Sequence, residues 1–305
     1  MNTSRRNFLK TSTFSVAAAT LFSENLFALA KKDVYLGIQL YSVRADMGKD
    51  AAGTLKQIAG IGYKYVEHAN YINRKFYKYD PADFKKLLDD LGLKMVSGHT
   101  QLKKEHWDSA KNDFTDEWKY TVADAATAGQ SYVVSPWLDE SLRKSYDDFK
   151  HFMDIFNKSG ELCKKSGMKF GYHNHDFEFN TLIDGKKIYD LIMQNTDPSL
   201  VAQQLDIGNL YNGGAVAADI VKQYPGRFEL MHVKDEIKSS NPGSNGGEKY
   251  ESTILGAGIV NTRSVIDAGR KAGTSYFIVE QESYQGKAPI DSAKEDFDIM
   301  KKWGY

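Results

Sequence analysis

From Val34 onward one phrase recurs: apolar residues at helical spacing, a glycine, then four to six apolar or β-branched residues that end in a polar one. It reads GIGYKYVEH at 60–68, LGLKMVSGH at 91–99, AGQSYVVSP at 128–136, SGMKFGYHNH at 166–175, PGRFELMH at 225–232 and AGTSYFIVEQE at 272–282. A glycine that follows a helical pattern is a C-terminal stop, because it accepts the left-handed backbone that closes the last turn. An unbroken apolar run just after it is what a strand covered on both faces looks like, so helix, glycine, strand implies parallel βα units. Two less regular runs, VYLGIQLYS at 34–42 and SLVAQQLD at 199–206, complete the set. The pattern predicts eight strands ending near Gln39, Glu67, His99, Ser135, His173, Asp206, His232 and Glu280.

Eight such units in roughly 270 residues predict an α/β fold, a (β/α)8 TIM barrel forming a single domain over 31–305. A doubly wound open sheet is the rival, but no G-x-G-x-x-G follows the first strand and no acidic partner for a ribose is apparent. Between Asp235 and Val260 the stretch SSNPGSNGGEKYE, rich in Gly, Ser and Asn, predicts a mobile loop after the seventh strand, either a lid or a surface insertion. The Tyr and Phe residues that alternate with charges over 71–84 are expected to form a structured βα loop.

Residues 1–30 obey a different rule. Ser4-Arg5-Arg6-Asn7-Phe8-Leu9-Lys10, a modest apolar run from Phe14 to Phe22 and Ala28-Leu29-Ala30 are laid out as basic region, apolar region and cleavage site. They resemble a bacterial twin-arginine signal, which implies export of a folded protein to the periplasm. The apolar run is too short to span a membrane.

The whole chain has 305 residues, with 40 basic and 40 acidic side chains. Removing Arg5, Arg6, Lys10 and Glu24 with the leader leaves 37 basic and 39 acidic residues. That balance argues against a nucleic acid or an anionic membrane as partner and favours a small molecule; it leaves a homo-oligomer open. Cys163 is the single cysteine, so neither an internal disulfide nor a thiolate cluster is available, and any metal must sit on histidine and carboxylate ligands.

In such a barrel the C-terminal strand ends converge on one face, where active sites are built. Here they carry Glu67, His99, His173, His175, Asp206, His232 and Glu280, and five of the seven histidines, His68 included, lie at or just past a strand end. Any one alone reads equally well as a hydrogen-bonded rim residue. Gathering all of them without a cation costs several kcal/mol, on the order of what buried unpaired charges cost.

GIQLYSVR at 37–44, LDIGN at 205–209, HVKD at 232–235, LGAGIV at 255–260 and IVEQE at 278–282 together resemble the sugar phosphate isomerase/epimerase superfamily with its xylose-isomerase-like barrel, across nearly all of 33–303. The resemblance implies one divalent metal held by one residue from each of strands five to eight. Asp206, His232 and Glu280 take the last three places, and His173 stands where many epimerases carry Glu. Two imidazoles and two carboxylates suit Mn²⁺ first, with Co²⁺, Fe²⁺ or Zn²⁺ as alternatives. Asn209 is a second departure, since His often comes after that Asp-x-Gly. The Tyr172-His173-Asn174-His175 phrase with Thr196-Asp197-Pro198 looks most like the inosose dehydratase branch.

A metal-polarised carbonyl acidifies the neighbouring C–H, and a side chain then takes the proton. Epimerisation needs a base on each face, whereas expulsion of a β-substituent needs one base and one acid, which the loss of the strand-five carboxylate favours. The expected substrate is therefore a sugar or keto-sugar. Glu67, His99 and His175 are the acid/base candidates; Gln39, Tyr41, Trp137 and Lys234 are the sugar-contacting candidates. Pairing with Asp235 is the alternative for Lys234. Two other classes remain at this level: a phosphodiesterase like endonuclease IV, which needs a richer ligand set, and a carbohydrate-binding barrel without catalysis.

Overall fold

The computed structural model describes residues 33–240 and 249–305. Among these, eight parallel strands, β1 (Tyr35–Gln39), β2 (Tyr65–His68), β3 (Lys94–His99), β4 (Tyr132–Ser135), β5 (Lys169–His173), β6 (Val201–Asp206), β7 (Phe228–Val233) and β8 (Tyr276–Val279), close into a barrel. β8 pairs with β1 in register Tyr276↔Tyr35 through Val279↔Ile38, which seals the ring. Every strand ends within one residue of its predicted position.

The principal helices between them are α1 (Ala51–Ile61), α2 (Pro81–Asp90), α3 (Asp116–Thr127), α4 (Tyr146–Lys165), α5 (Ile188–Asn195), α6 (Ala217–Gln223), α7 (Thr262–Lys271) and α8 (Pro289–Trp303). Their ends reflect local chemistry. Asp50 caps α1 by accepting from the Gly53 amide, and proline opens α2 and α8, where its missing N–H costs nothing. After α2 and α4 the chain turns at Gly92 (φ 68°) and Gly167 (φ 74°), the stops that the recurring phrase requires. Cys163 is buried in α4. No helix among the described residues is long and apolar enough to cross a membrane.

Strand alternation sorts the barrel interior into layers. At the N-terminal end, Tyr35, Tyr65, Tyr132 and Tyr276 pack ring against ring, stacked, tilted or edge-on, with centroids 5.0–6.0 Å apart. Tyr132 Oη donates to Glu229 (2.9 Å), which also takes the Lys169 ammonium (2.6 Å). Above this plug lies a small apolar layer of Val134, Ala202, Leu230 and Ile278. Two positions further along β6, β7 and β8, the same inward face presents Gln204, His232 and Glu280. The larger apolar clusters lie outside the sheet, beneath the helices.

Two register shifts break this regularity, one between Val66 and Glu67 on β2 against β3, the other between Gln203 and Gln204 on β6 against β7. Each inserts a residue in the neighbouring strand and re-aims the side chains beyond it.

The Asp235–Val260 connection is more ordered at its base than the sequence suggests: Asp235–Lys238 and Tyr250–Thr253 form an antiparallel hairpin. The segment 241–248 lies outside the described residues, as do residues 1–32 with their export motif. Over 71–84 the expected structured loop is a hairpin, Tyr71–Ile72 with Lys75–Phe76, in which Tyr71 packs on Phe76 and Phe76 on Phe84 of α2.

Candidate active site

The inward layer at the C-terminal strand ends is built around Glu67, a carboxylate with no exposure. It accepts from Gln39 Nε2 (2.6 Å), Gln204 Nε2 (2.6 Å) and the Ser97 hydroxyl, and its Oε1 meets His232 Nε2 at 2.6 Å and His99 Nε2 at 3.1 Å. The two register shifts flank this knot, and Ser97 and Gln204 both reach the same carboxylate. Burial alone would raise the Glu67 pKa, but His99 and His232 more than offset it and hold the group well below the usual carboxylate range. Saturated in this way, Glu67 organises two imidazoles; the arrangement offers it no open face as a direct base. Gln39, expected to touch the sugar, is likewise wholly buried, its amide spent on Glu67 and the Tyr41 backbone.

Above Glu67 lie two overlapping trios whose ligand atoms come within 4.8 Å of one another: Asp206, His232 and Glu280, and His99, His173 and His232. His232 is common to both. The four ligands implied by the resemblance are thus neighbours, with His173 grouped on the imidazole side and 3.9 Å from Asp206.

Asp206 shows how the local sequence prepares a candidate ligand. It caps the short helix Ile207–Asn212, Oδ1 accepting from the Asn209 amide (2.7 Å), while its backbone is gripped on both sides by the Asn174 side chain. Oδ2 is left buried without a hydrogen bond. A buried carboxylate oxygen without a hydrogen bond, beside an imidazole and a second carboxylate, is a donor set that fits a divalent cation.

A cation of the protein's own enters the same cluster. Lys234, almost fully buried, lies 3.2 Å from Asp206 Oδ2 and 3.0 Å from Glu280 Oε2, and donates a hydrogen bond to Glu282 (2.7 Å). The alternative of a Lys234–Asp235 pair is not what forms: Asp235 instead accepts the amides of Gly256, Gly258 and Val260. Burial would lower the Lys234 ammonium's pKa, but Asp206, Glu280 and Glu282 reverse this and push it up. Glu280 moves the opposite way, held down by Lys234 and His232 against its burial. Gly208 makes room for the lysine stem; a Cβ there would sit 2.6 Å from Lys234 Cδ.

His175 lies at the mouth, half-buried, its ring edge-on to Trp137 with centroids 4.9 Å apart and its Nδ1 without a partner. Burial is the main cause that lowers its pKa to about 4, so the ring is neutral at pH 7. His99, half-buried as well, engages Glu67 and Gln204 through Nε2, leaving Nδ1 for a ligand. Tyr41 and Trp137 stand partly exposed at the rim, each with an arginine over its ring, Arg44 at 4.4 Å and Arg143 at 4.7 Å.

His68, counted among the strand-end histidines, does not join the site. Its ring is fully buried against Phe76, and both nitrogens lack partners. Conversely, Gln204, Ser97 and Glu282 belong to the cluster and were not anticipated. The signal for Gln204 was present: it precedes Asp206 by two in a strand, hence on the same face.

Comparison with known proteins agrees with this architecture. Residues 55–303 match the model of the xylose isomerase-like TIM barrel family, and the chain belongs to that family. Inosose dehydratase from Clostridium perfringens is 28% identical over 172 residues, 53% of this chain and 56% of that protein. The inosose dehydratase of Clostridium beijerinckii is 27% identical over 205 residues, 62% and 65% of the two chains. The chain thus spans less than two thirds of the length of these curated relatives. A solved sugar phosphate isomerase/epimerase from Parabacteroides distasonis superposes with a TM-score of 0.73 at 27% identity, covering 90% of this chain and 95% of that one. The IOLI protein, solved with a bound zinc atom, shares the fold at 16% identity with a TM-score of 0.66.

Proposed function

We propose that this protein is a divalent-metal-dependent enzyme that removes the proton beside a carbonyl of a sugar or keto-sugar and expels a β-substituent. The observation that carries the reading is the Asp206–His232–Glu280 trio beside two partly buried imidazoles, His99 and His175, each with a ring nitrogen unclaimed by the protein. The dehydratase and isomerase/epimerase relatives support it. Asp206, His232 and Glu280, with His173 adjacent, would hold the metal, which when bound supplies Lewis acidity to a substrate carbonyl.

The remaining work falls to the chain. Neutral His175 takes the proton from the carbon beside the carbonyl; the C–H electron pair becomes a C=C bond to the β-carbon. As that bond forms, the β C–O bond breaks with its pair on oxygen, and that oxygen receives a proton from His99, whose ring Glu67 and Gln204 hold in place. The products are an unsaturated ketone and water or an alcohol, so no oxidant or reductant is consumed. Lys234 holds Asp206 and Glu280 in position and, with His232, keeps Glu280 ionised. Trp137 and Tyr41 offer aromatic faces to a sugar ring.

The test is to incubate metal-loaded enzyme in deuterated water with a glycoside oxidised to a ketone at its third carbon, and in parallel with a matched ketose. Release of the aglycone is the expected result, with metal and activity both lost in His232→Ala. Deuterium entry into the ketose while the glycoside keeps its aglycone sinks elimination and leaves isomerisation or epimerisation.

The same proposal places the enzyme outside the cytoplasm, on the strength of the Arg5-Arg6 and Ala28-Leu29-Ala30 signals. Arg5→Lys with Arg6→Lys is expected to leave the unprocessed precursor in the cytoplasmic fraction; normal processing of that variant would count against the twin-arginine route.

A further inference from the structure

Beside the ligand cluster, a cavity of about 640 Å³ opens between the loop after β2 and the loop after β3, with His99 in its wall and α3 along one side. Its size is within the roughly 300–1,000 Å³ typical of small-molecule sites. His99 is the only residue that it shares with the ligand cluster, so the cavity begins where the cluster ends.

The chemistry of its walls is that of a neutral polyol site. Its most prominent cation, Arg74, is already matched: the guanidinium grips Asp124 through two bonds, 2.9 and 2.8 Å. His106 accepts from the Lys103 amide and faces Glu117 at 3.6 Å, with its pKa lowered, chiefly by burial. By contrast, the half-buried amides of Asn70 and Gln101 make no side-chain hydrogen bond to another described residue. Tyr120 is 47% exposed on the cavity side of α3, one ring face backed by Arg74 at 4.4 Å. Unclaimed amides beside a fixed aromatic plane match a ring bearing hydroxyls; the other charged groups of the lining, Lys103 and Glu117, are of opposite sign and exposed.

Resting on the proposed elimination, we propose that this cavity is a second subsite, which takes the ring attached to the departing oxygen, so that the substrate is an uncharged two-ring glycoside and not a free monosaccharide. The placement comes from the acid. A group that protonates the departing oxygen must stand between the ring that stays and the group that leaves, and His99 stands between the ligand cluster and this cavity. Tyr120 would stack on the second ring, and Asn70 and Gln101 would bond its hydroxyls.

The experiment compares two keto-glycosides that share the reacting ring, one with a methyl aglycone and one with a glucosyl aglycone, on the wild type, Tyr120→Ala and Gln101→Ala. Tyr120 is exposed enough that its truncation leaves the fold intact, which circular dichroism verifies. The expected result is that the KM for the glucosyl substrate, divided by that for the methyl substrate, rises about tenfold in Tyr120→Ala, the worth of one good ring contact, and rises less in Gln101→Ala. A ratio within twofold of wild type in both variants, with both substrates turning over, overturns the subsite and spares the reaction. If neither substrate reacts, the reaction reading has failed, and calorimetry with the corresponding unoxidised disaccharide decides the subsite. Binding that weakens about tenfold in Tyr120→Ala sustains it; no binding, or equal binding by both proteins, overturns it.

Discussion

His68 illustrates what a single side chain can cost. Burial, with a smaller push from His99, lowers its pKa from 6.5 to about 3, so the fold admits only the neutral ring. The unfolded chain binds a proton below about pH 6.5 that the folded one refuses until about pH 3. Stability contributed by the neutral ring is therefore complete above pH 6.5 and is lost as pH falls toward 3, by an amount on the order of a few kcal/mol. His68→Leu removes that proton uptake and two unpartnered nitrogens. Melting curves at pH 7.5 and 4.5 are expected to show a smaller acid loss in the variant; parallel losses would mean that the ring is not neutral and buried. The close fit has a sequence correlate in Gly98, where a Cβ would lie 1.8 Å from the His68 ring.

At the scale of elements, the turn 255–260 shows how a motif that looks catalytic is structural. Asp235 comes three residues after the candidate ligand His232, yet its carboxylate serves the amides of Gly256, Gly258 and Val260 and so ties the strand-seven hairpin to the entrance of α7. A Cβ on Gly258 would stand 2.2 Å from Asp235 Oδ1 and 2.5 Å from the Glu236 carbonyl. Gly258→Ala is expected to lower unfolding free energy by about 1–3 kcal/mol in a urea titration; an unchanged midpoint would show that the turn relaxes freely. Strand order, strand ends and the glycine stops were legible in the sequence, because covered strands and helix termini leave short, local signatures. The network under the site was not. The two register shifts depend on how neighbouring strands pair, and no single strand records them, so the inward turn of Ser97 had no visible cause. Lys234 was placed on the right face by alternation, but its partners come from β6 and from the segment after β8. Gln39 and Glu67 were legible as strand-end polar groups; that they face each other, and not a ligand, is a property of the closed ring.

For the molecule as a whole, the four packed tyrosines at the N-terminal end of the barrel set a rule of traffic. Tyr35, Tyr65, Tyr132 and Tyr276, fastened by Glu229 and Lys169, fill the N-terminal end of the barrel, so under the proposed reaction whatever reaches the ligand cluster is expected to enter and depart by the C-terminal mouth. A cleavage that yields two fragments in a blind chamber has a queue: the fragment in the outer cavity stands nearer the doorway than the one held at the bottom. Release is then ordered, outer fragment first. In steady-state terms the released alcohol is expected to inhibit noncompetitively and the unsaturated ketone competitively against substrate. The opposite assignment would mean that the inner fragment has a way past its partner. A barrel floor laid down by ring packing at one end thus dictates the sequence of departures at the other.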